Sequence, residues 1–136
     1  MLELDNLQKL GFPTHLQSHL SQNPDFQVAR VIVEHKGSYI VKNHQFEIPA
    51  QVTGKLMYSA QSRLDYPAVG DWVLLQTYDD DSQGIIHELL PRQDTLKRKV
   101  SGQKVDYQIV GSNIDVAFII QGLDKDLNLN RLEYLK

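Results

Sequence analysis

The stretch Tyr66-Pro67-Ala68-Val69-Gly70-Asp71-Trp72-Val73-Leu74-Leu75 decides the fold. Pro67 fixes its own φ and pushes Tyr66 toward an extended conformation, so no helix runs through this point. Gly70-Asp71 is a turn signal, because glycine adopts backbone angles that other residues avoid. Trp72 to Leu75 then form a short, apolar, β-favouring run. The stretch reads as a turn feeding a strand of a small barrel, with the chain's single tryptophan packing its wall.

Working outward, the segments on either side have the same character. Residues 26–35 are long and β-branched, which predicts a strand. Lys36-Gly37-Ser38 is a tight turn, and 39–42 a return strand. After Asn43-His44-Gln45, residues 46–52 alternate and continue irregularly toward Met57 and Tyr58; Pro49 demotes the middle of that strand to an edge or a bulge. Residues 59–65 connect to the opening stretch. Strands are then predicted at 71–77 and 85–90, on either side of a polar loop holding Asp79, Asp80 and Asp81. Five strands in so short a span predict a five-stranded Greek-key barrel of the OB type, with an SH3-like barrel as the nearest competitor.

Upstream, Leu4, Leu7 and Leu10 followed by Gly11 predict a short helix, and Thr14 a second one carrying Leu16 and Leu20. The first 25 residues therefore read as a helical arm on the barrel. His15 and His19 share a helical spacing, but two histidines without a third ligand make a weak metal signal.

Downstream the charge changes sign. The whole chain of 136 residues is −3, whereas 92–104 holds five basic residues and one acid, net +4. This region, 92–107, reads as a basic linker. Val116-Ala117-Phe118-Ile119-Ile120 has no polar alternation, as in a strand buried on both faces of a parallel sheet. Leu129, Leu132 and Leu135 begin an amphipathic helix. One such strand and one helix cannot bury themselves, so 108–136 reads as the truncated start of an α/β domain.

The 41% hydrophobic and 23% charged composition is that of a globular protein. No cysteine is present, which removes disulfides and thiolate metal sites from this chain. No apolar run reaches the roughly 18 residues of a membrane span, and a cytoplasmic protein without membrane contact is expected.

In order, Ala29-Arg30-Val31, Thr53-Gly54-Lys55-Leu56, the 66–73 stretch, Leu90-Pro91-Arg92, Lys97-Arg98-Lys99, Ser112-Asn113-Ile114-Asp115 and Leu127-Asn128-Leu129-Asn130-Arg131-Leu132-Glu133 carry a resemblance. The chain resembles the N-terminal part of the ribosome small subunit-dependent GTPase A family, circularly permuted GTPases of late small-subunit maturation. It departs from the family pattern at Gly111-Ser112 and where Glu133 runs directly into Tyr134.

The resemblance implies an OB barrel at 26–91, with 108–136 as the first strand and helix of a GTPase domain. It implies that the full-length protein hydrolyses GTP to GDP and phosphate with Mg²⁺, carries one structural zinc, and partners the small ribosomal subunit and its rRNA. This chain has no G-x-x-x-x-G-K-[ST] and no Asn-Lys-x-Asp, so it is expected to be inactive toward GTP and to hold no nucleotide or metal itself.

Expected RNA contacts are Arg30, His35, Lys36 and Tyr39 around the first hairpin, Arg63 near the third strand, and Arg92, Lys97, Arg98, Lys99 and Lys104 in the basic segment, with Tyr58 and Tyr66 as stacking groups. Three carboxylates at 79–81 would repel phosphate, and their spacing is not that of an EF-hand. The five histidines are scattered with no nucleophile elbow, which argues against a hydrolase site of their own. The alternative is a protein-interaction or intramolecular regulatory barrel without direct RNA contact, and exposed apolar surface at 108–136 makes a homodimer through that region an expected state.

Overall fold

The computed structural model describes residues 2–19, 25–61, 63–100, 106–120 and 122. Helix α1 spans Leu2–Lys9, followed by a 3-10 turn at Thr14–His19. Then come β1 (Gln27–His35), β2 (Ser38–Lys42), β3 (Glu47–Val52), α2 (Gly54–Ser59), a second 3-10 turn at Arg63–Asp65, β4 (Trp72–Tyr78), β5 (Gln83–Leu89), β6 (Thr95–Val100) and β7 (Asp106–Ser112).

Strands β1 to β5 close into a barrel in the order β1-β2-β3-β5-β4, with β4 returning to β1. The β3–β5 pairing is parallel (Ala50 opposite Gly84), and the other four barrel ladders are antiparallel. A closed, mixed five-strand barrel of this order is an OB-type fold, which sets aside the SH3-like alternative. β1 is long because it serves two partners: Gln27 to Arg30 face β4, and Arg30 to His35 face β2 across an irregularity between Val31 and Val33.

Strand alternation sorts the side chains into two cores. Ala29, Val31, Tyr39, Val41, Ile48, Ala50, Val73, Leu75 and Ile86 point inward and fill the barrel. Their neighbours Val28 and Trp72 point outward and meet Leu7, Phe12, Leu16 and Leu90. Trp72 is thus on the outside of the wall, fully buried beneath the helical arm, with the Phe12 ring edge-on at 4.8 Å and 80°. Gly11 ends α1 in the left-handed region (φ 90), which turns Phe12 back onto Trp72.

Pro49 occupies the part of β3 that pairs with β2 alone, since the β5 ladder begins one residue later at Ala50. Its missing N–H therefore leaves no gap in the barrel.

Three stretches differ from the sequence reading. The irregular continuation of β3 is a helix: Thr53 Oγ1 accepts a hydrogen bond from Leu56 N (3.0 Å) and caps α2. The 92–107 linker contains strand β6, paired with β7 from Thr95 opposite Ser112 to Val100 opposite Asp106. The expected buried strand at 116–120 is not formed, and Phe118 and Ile120 are 88% and 90% exposed. Nothing among the described residues covers that segment, so an apolar run alone does not make a strand there. The helix expected from Leu129 lies outside the described residues.

Candidate nucleic-acid interface and the polar hub beneath it

Three sequence markers far apart in the chain meet at one buried carboxylate. Asp71, fully buried, follows the Gly70 turn, and its Oδ2 accepts from Ala68 N (2.7 Å). Arg92 donates to both of its oxygens, Nε to Oδ1 (2.8 Å) and Nη2 to Oδ2 (2.7 Å). The Ser112 hydroxyl also donates to Oδ1. Arg92 spends two further donors on backbone, Nη1 to Leu64 O (2.6 Å) and Nη2 to Tyr66 O (2.9 Å). A buried charge is tolerable only when its lone pairs are filled in this way.

Arg30 makes a second tie. Its Nε donates to Gly70 O (3.1 Å), Nη1 to Leu10 O (2.7 Å) and Nη2 to Asn113 O (3.0 Å), while its guanidinium lies 5.7 Å above the Trp72 ring. Burial pushes this guanidinium below its ordinary value, against the opposing pull of Asp115 and Asp71. Asn113 completes the clasp, donating Nδ2 to Gly70 O (3.0 Å) and accepting from Gln93 N at Oδ1 (2.9 Å). Polar groups therefore tie the arm, the 66–71 turn and the β6–β7 hairpin to one another, in addition to the apolar packing of the arm on Trp72.

This geometry divides the expected contact residues. Arg30 and Arg92 are held inside the hub, and Tyr39 is buried in the barrel core, where burial and then the Glu34 charge push its phenol up to about 12. His35 and Lys36 are exposed at the β1–β2 turn, with Lys36 in the left-handed region (φ 50). On the hairpin, Lys97 is half-buried opposite Ile109, while Arg98 and Lys99 are exposed opposite Gln108 and Tyr107. Arg98 Nη2 donates to Gln108 Oε1 (3.0 Å). Alternation puts Lys97 and Lys99 on one face of the ribbon and Arg98 on the other. Arg63 begins the second 3-10 turn. Lys104 lies outside the described residues. Tyr58 is 94% exposed on α2, while Tyr66 is half-buried, its carbonyl serving the hub.

The sequence reading missed Ser112 and Asn113 as structural partners of the barrel. They were visible only as a motif, and the groups they bind, the Asp71 carboxylate for Ser112 and the Gly70 carbonyl for Asn113, are some forty residues away. At the β4–β5 turn Asp79, Asp80 and Asp81 are exposed and all left-handed (φ 57, 55 and 60). Among the described residues no group of three or more His, Cys, Asp or Glu is placed to hold a metal ion, and no helix is long and apolar enough to cross a membrane.

Comparison with known proteins gives consistent matches. A small ribosomal subunit biogenesis GTPase RsgA 1 of Oceanobacillus iheyensis is 47% identical over 106 residues, covering 78% of this chain and 30% of that protein. An RsgA 1 of Bacteroides thetaiotaomicron is 38% identical over 133 residues, covering 96% of this chain and 37% of that protein. A crystal structure of YloQ, a circularly permuted GTPase, matches at 22% identity and a TM-score of 0.45, over 55% of this chain and 26% of that one. No family model matches the chain. The chain spans about a third of the length of these curated relatives.

Proposed function

Because this chain is homologous over most of its length to the N-terminal part of the RsgA circularly permuted GTPases, we propose that it is the rRNA-docking unit of a GTPase acting in small ribosomal subunit biogenesis. The observation that carries the reading is the alignment over 96% of this chain with a relative named for that role. GTP hydrolysis, with Mg²⁺, and a structural zinc are assigned to sequence beyond the matched third, since the phosphate-cradling and guanine-recognising motifs are absent from these 136 residues.

Two exposed basic elements supply the chemistry of contact. One is the β1–β2 turn with His35 and Lys36; the other is the β6–β7 ribbon with Lys97, Arg98 and Lys99. Lysine and arginine along a ribbon neutralise successive phosphates and release counterions, which gives affinity without reading sequence. The hub supports this reading by holding the ribbon firmly on the barrel, so both elements are presented in a fixed relation. The acidic Asp79–Asp81 turn repels a phosphate backbone and restricts the surface available to it. We assign the OB barrel at 26–91, together with the β6–β7 ribbon held on it, to docking, and the region that follows the ribbon to the start of the GTPase domain.

The test is co-sedimentation of the full-length protein with isolated small subunits across a salt series. Binding that weakens steeply with salt is expected. Association that is absent, or indifferent to salt, would overturn the proposal.

A further inference from the structure

We propose that the cavity between the end of β1 and the β6–β7 ribbon holds one unpaired RNA base, so that the docking surface takes a single strand. The inference rests on the docking reading above and deepens it. The cavity, about 170 Å³, is lined by the 66–69 turn, by 108–110 of β7 and by Glu34 of β1. It therefore lies between the two basic elements: His35 and Lys36 follow Glu34 in the chain, and Lys97 stands cross-strand from Ile109. A single strand running from one element to the other crosses it.

Its walls suit a planar ring. Tyr66, half-buried, brings an aromatic ring, and the valines on either side, Val69 and Val110, are left 40% and 47% exposed. The volume is too small for a drug-sized ligand and matches one ring system. A base stacks on an aromatic side chain whatever its identity, because every base has a π-face.

Glu34 adds the polar group. It is exposed and is the one carboxylate among the described residues that line the cavity. Toward a phosphate it is repulsive, but toward a base it accepts a hydrogen bond from an exocyclic amine. Stacking combined with hydrogen bonds to an open base edge is how single-stranded RNA is recognised. Adenine, cytosine and guanine carry that amine, and uracil does not.

The turn that forms one wall is held before any ligand arrives. Tyr66 O accepts from Arg92 Nη2 (2.9 Å), Ala68 N donates to Asp71 Oδ2 (2.7 Å), and Val69 O accepts from Ser112 N (2.8 Å). The last of these ties the turn directly to β7, which forms the facing wall. Binding a base therefore orders little that is not already ordered, which favours affinity. Arg92, Asp71 and Ser112 act here as positioning residues, while Tyr66 and Glu34 make the contact.

The test titrates the full-length protein with labelled single-stranded RNAs of one short length: all adenine, all uracil, and an abasic strand. Fluorescence anisotropy is read across a salt series. The adenine strand should bind about tenfold more tightly than the abasic one, with the same slope of log affinity against log salt, because their phosphates are the same. The uracil strand should fall between them. Tyr66→Ala should remove the tenfold difference and Tyr66→Phe keep it, since stacking needs only the ring. Glu34→Gln should erase the preference for adenine over uracil, because an amide pairs with either base edge.

If Tyr66→Ala lowers the urea midpoint, the three strands on the unaltered protein and Glu34→Gln, at an exposed position, carry the comparison. Equal affinity for adenine and abasic strands, with salt-sensitive binding to small subunits intact, overturns the base slot and leaves the docking reading standing. An adenine preference untouched by the Tyr66 and Glu34 substitutions puts the base elsewhere and also overturns it. Absence of salt-sensitive subunit binding removes the docking reading, and this inference with it.

Discussion

Arg92 grips Asp71 with two parallel hydrogen bonds of 2.8 and 2.7 Å, and through that grip the segment after the barrel is locked to the turn before β4. Asp71 is fully buried and Arg92 nearly so, with 18% of its side chain exposed. Removing one partner leaves the other charge without compensation in a desolvated site. Arg92→Ala is expected to destabilise the chain by about 3–5 kcal/mol, read as a lower urea midpoint with unchanged slope. Arg92→Lys should recover only a fraction, because a point charge cannot serve two carboxylate oxygens and two carbonyls at once. Equal stability of the lysine variant and the parent would show that the fork geometry contributes nothing.

The hub also depends on a residue with no side chain. Gly70 sits at φ 98, and a Cβ there would fall well inside contact distance of the Ser112 carbonyl. Gly70→Ala therefore meets both backbone strain and a collision with β7. The expected relief is displacement of the β6–β7 hairpin from the barrel. Amide hydrogen exchange should accelerate within Thr95–Val100 and Asp106–Ser112 far more than within β1 to β5. Uniform protection across both sheets in the alanine variant would contradict this account.

These two cases mark what local sequence could and could not disclose. The barrel strands were legible because alternating apolar residues and glycine, proline or asparagine turns are written in consecutive positions. α2 was missed because Thr53 and Gly54 follow β3 with no break, so its short amphipathic run reads as more strand. β6 was hidden by Lys97-Arg98-Lys99, whose charges interrupt the apolar alternation that betrays a half-buried strand and leave only Leu96 and Val100 apolar in it.

The hub left no local trace, since Asp71 finds Arg92 twenty-one residues on and Ser112 forty-one residues on. For the same reason Arg30 and Tyr39 read as surface contacts. Alternation predicts that Arg30 points out of the barrel, as it does, but only the tertiary fold shows the arm lying over it. Lys36, Arg98 and Lys99, at a turn and on the ribbon, are left exposed by the structure, and Lys97 half-buried.

Tyr39 gives a prediction in pH. Its phenol is neutral and buried, and its folded value of about 12 exceeds the ordinary value of 10.0. The folded state therefore holds this proton more tightly than the unfolded chain does. The stabilisation is fully present below about pH 10 and is lost as pH rises toward 12, amounting to roughly 2–3 kcal/mol across the window. Tyr39→Phe should flatten that part of the stability–pH curve. Difference absorbance of the parent should show one phenol ionising later than the rest, and its disappearance in Tyr39→Phe assigns it. If the late step persists in that variant, it belongs to another tyrosine.

The docking surface makes the last prediction. Lys36, Lys97 and Lys99 contribute to no hub hydrogen bond, so Lys→Gln changes there should leave the unfolding free energy within about 0.5 kcal/mol of the parent. In the full-length protein each lost phosphate contact lowers the slope of log affinity against log salt by about 0.7 to 1. The triple variant should therefore bind small subunits more weakly at low salt, with a slope shallower by about 2 to 3. Arg30→Gln works as the opposite control: its three donors go to Leu10, Gly70 and Asn113, so it should cost stability first, with affinity falling only as the ribbon loosens. A triple variant with parental affinity and slope, and intact stability, would remove these lysines from the interface and leave the barrel an interaction module of another kind.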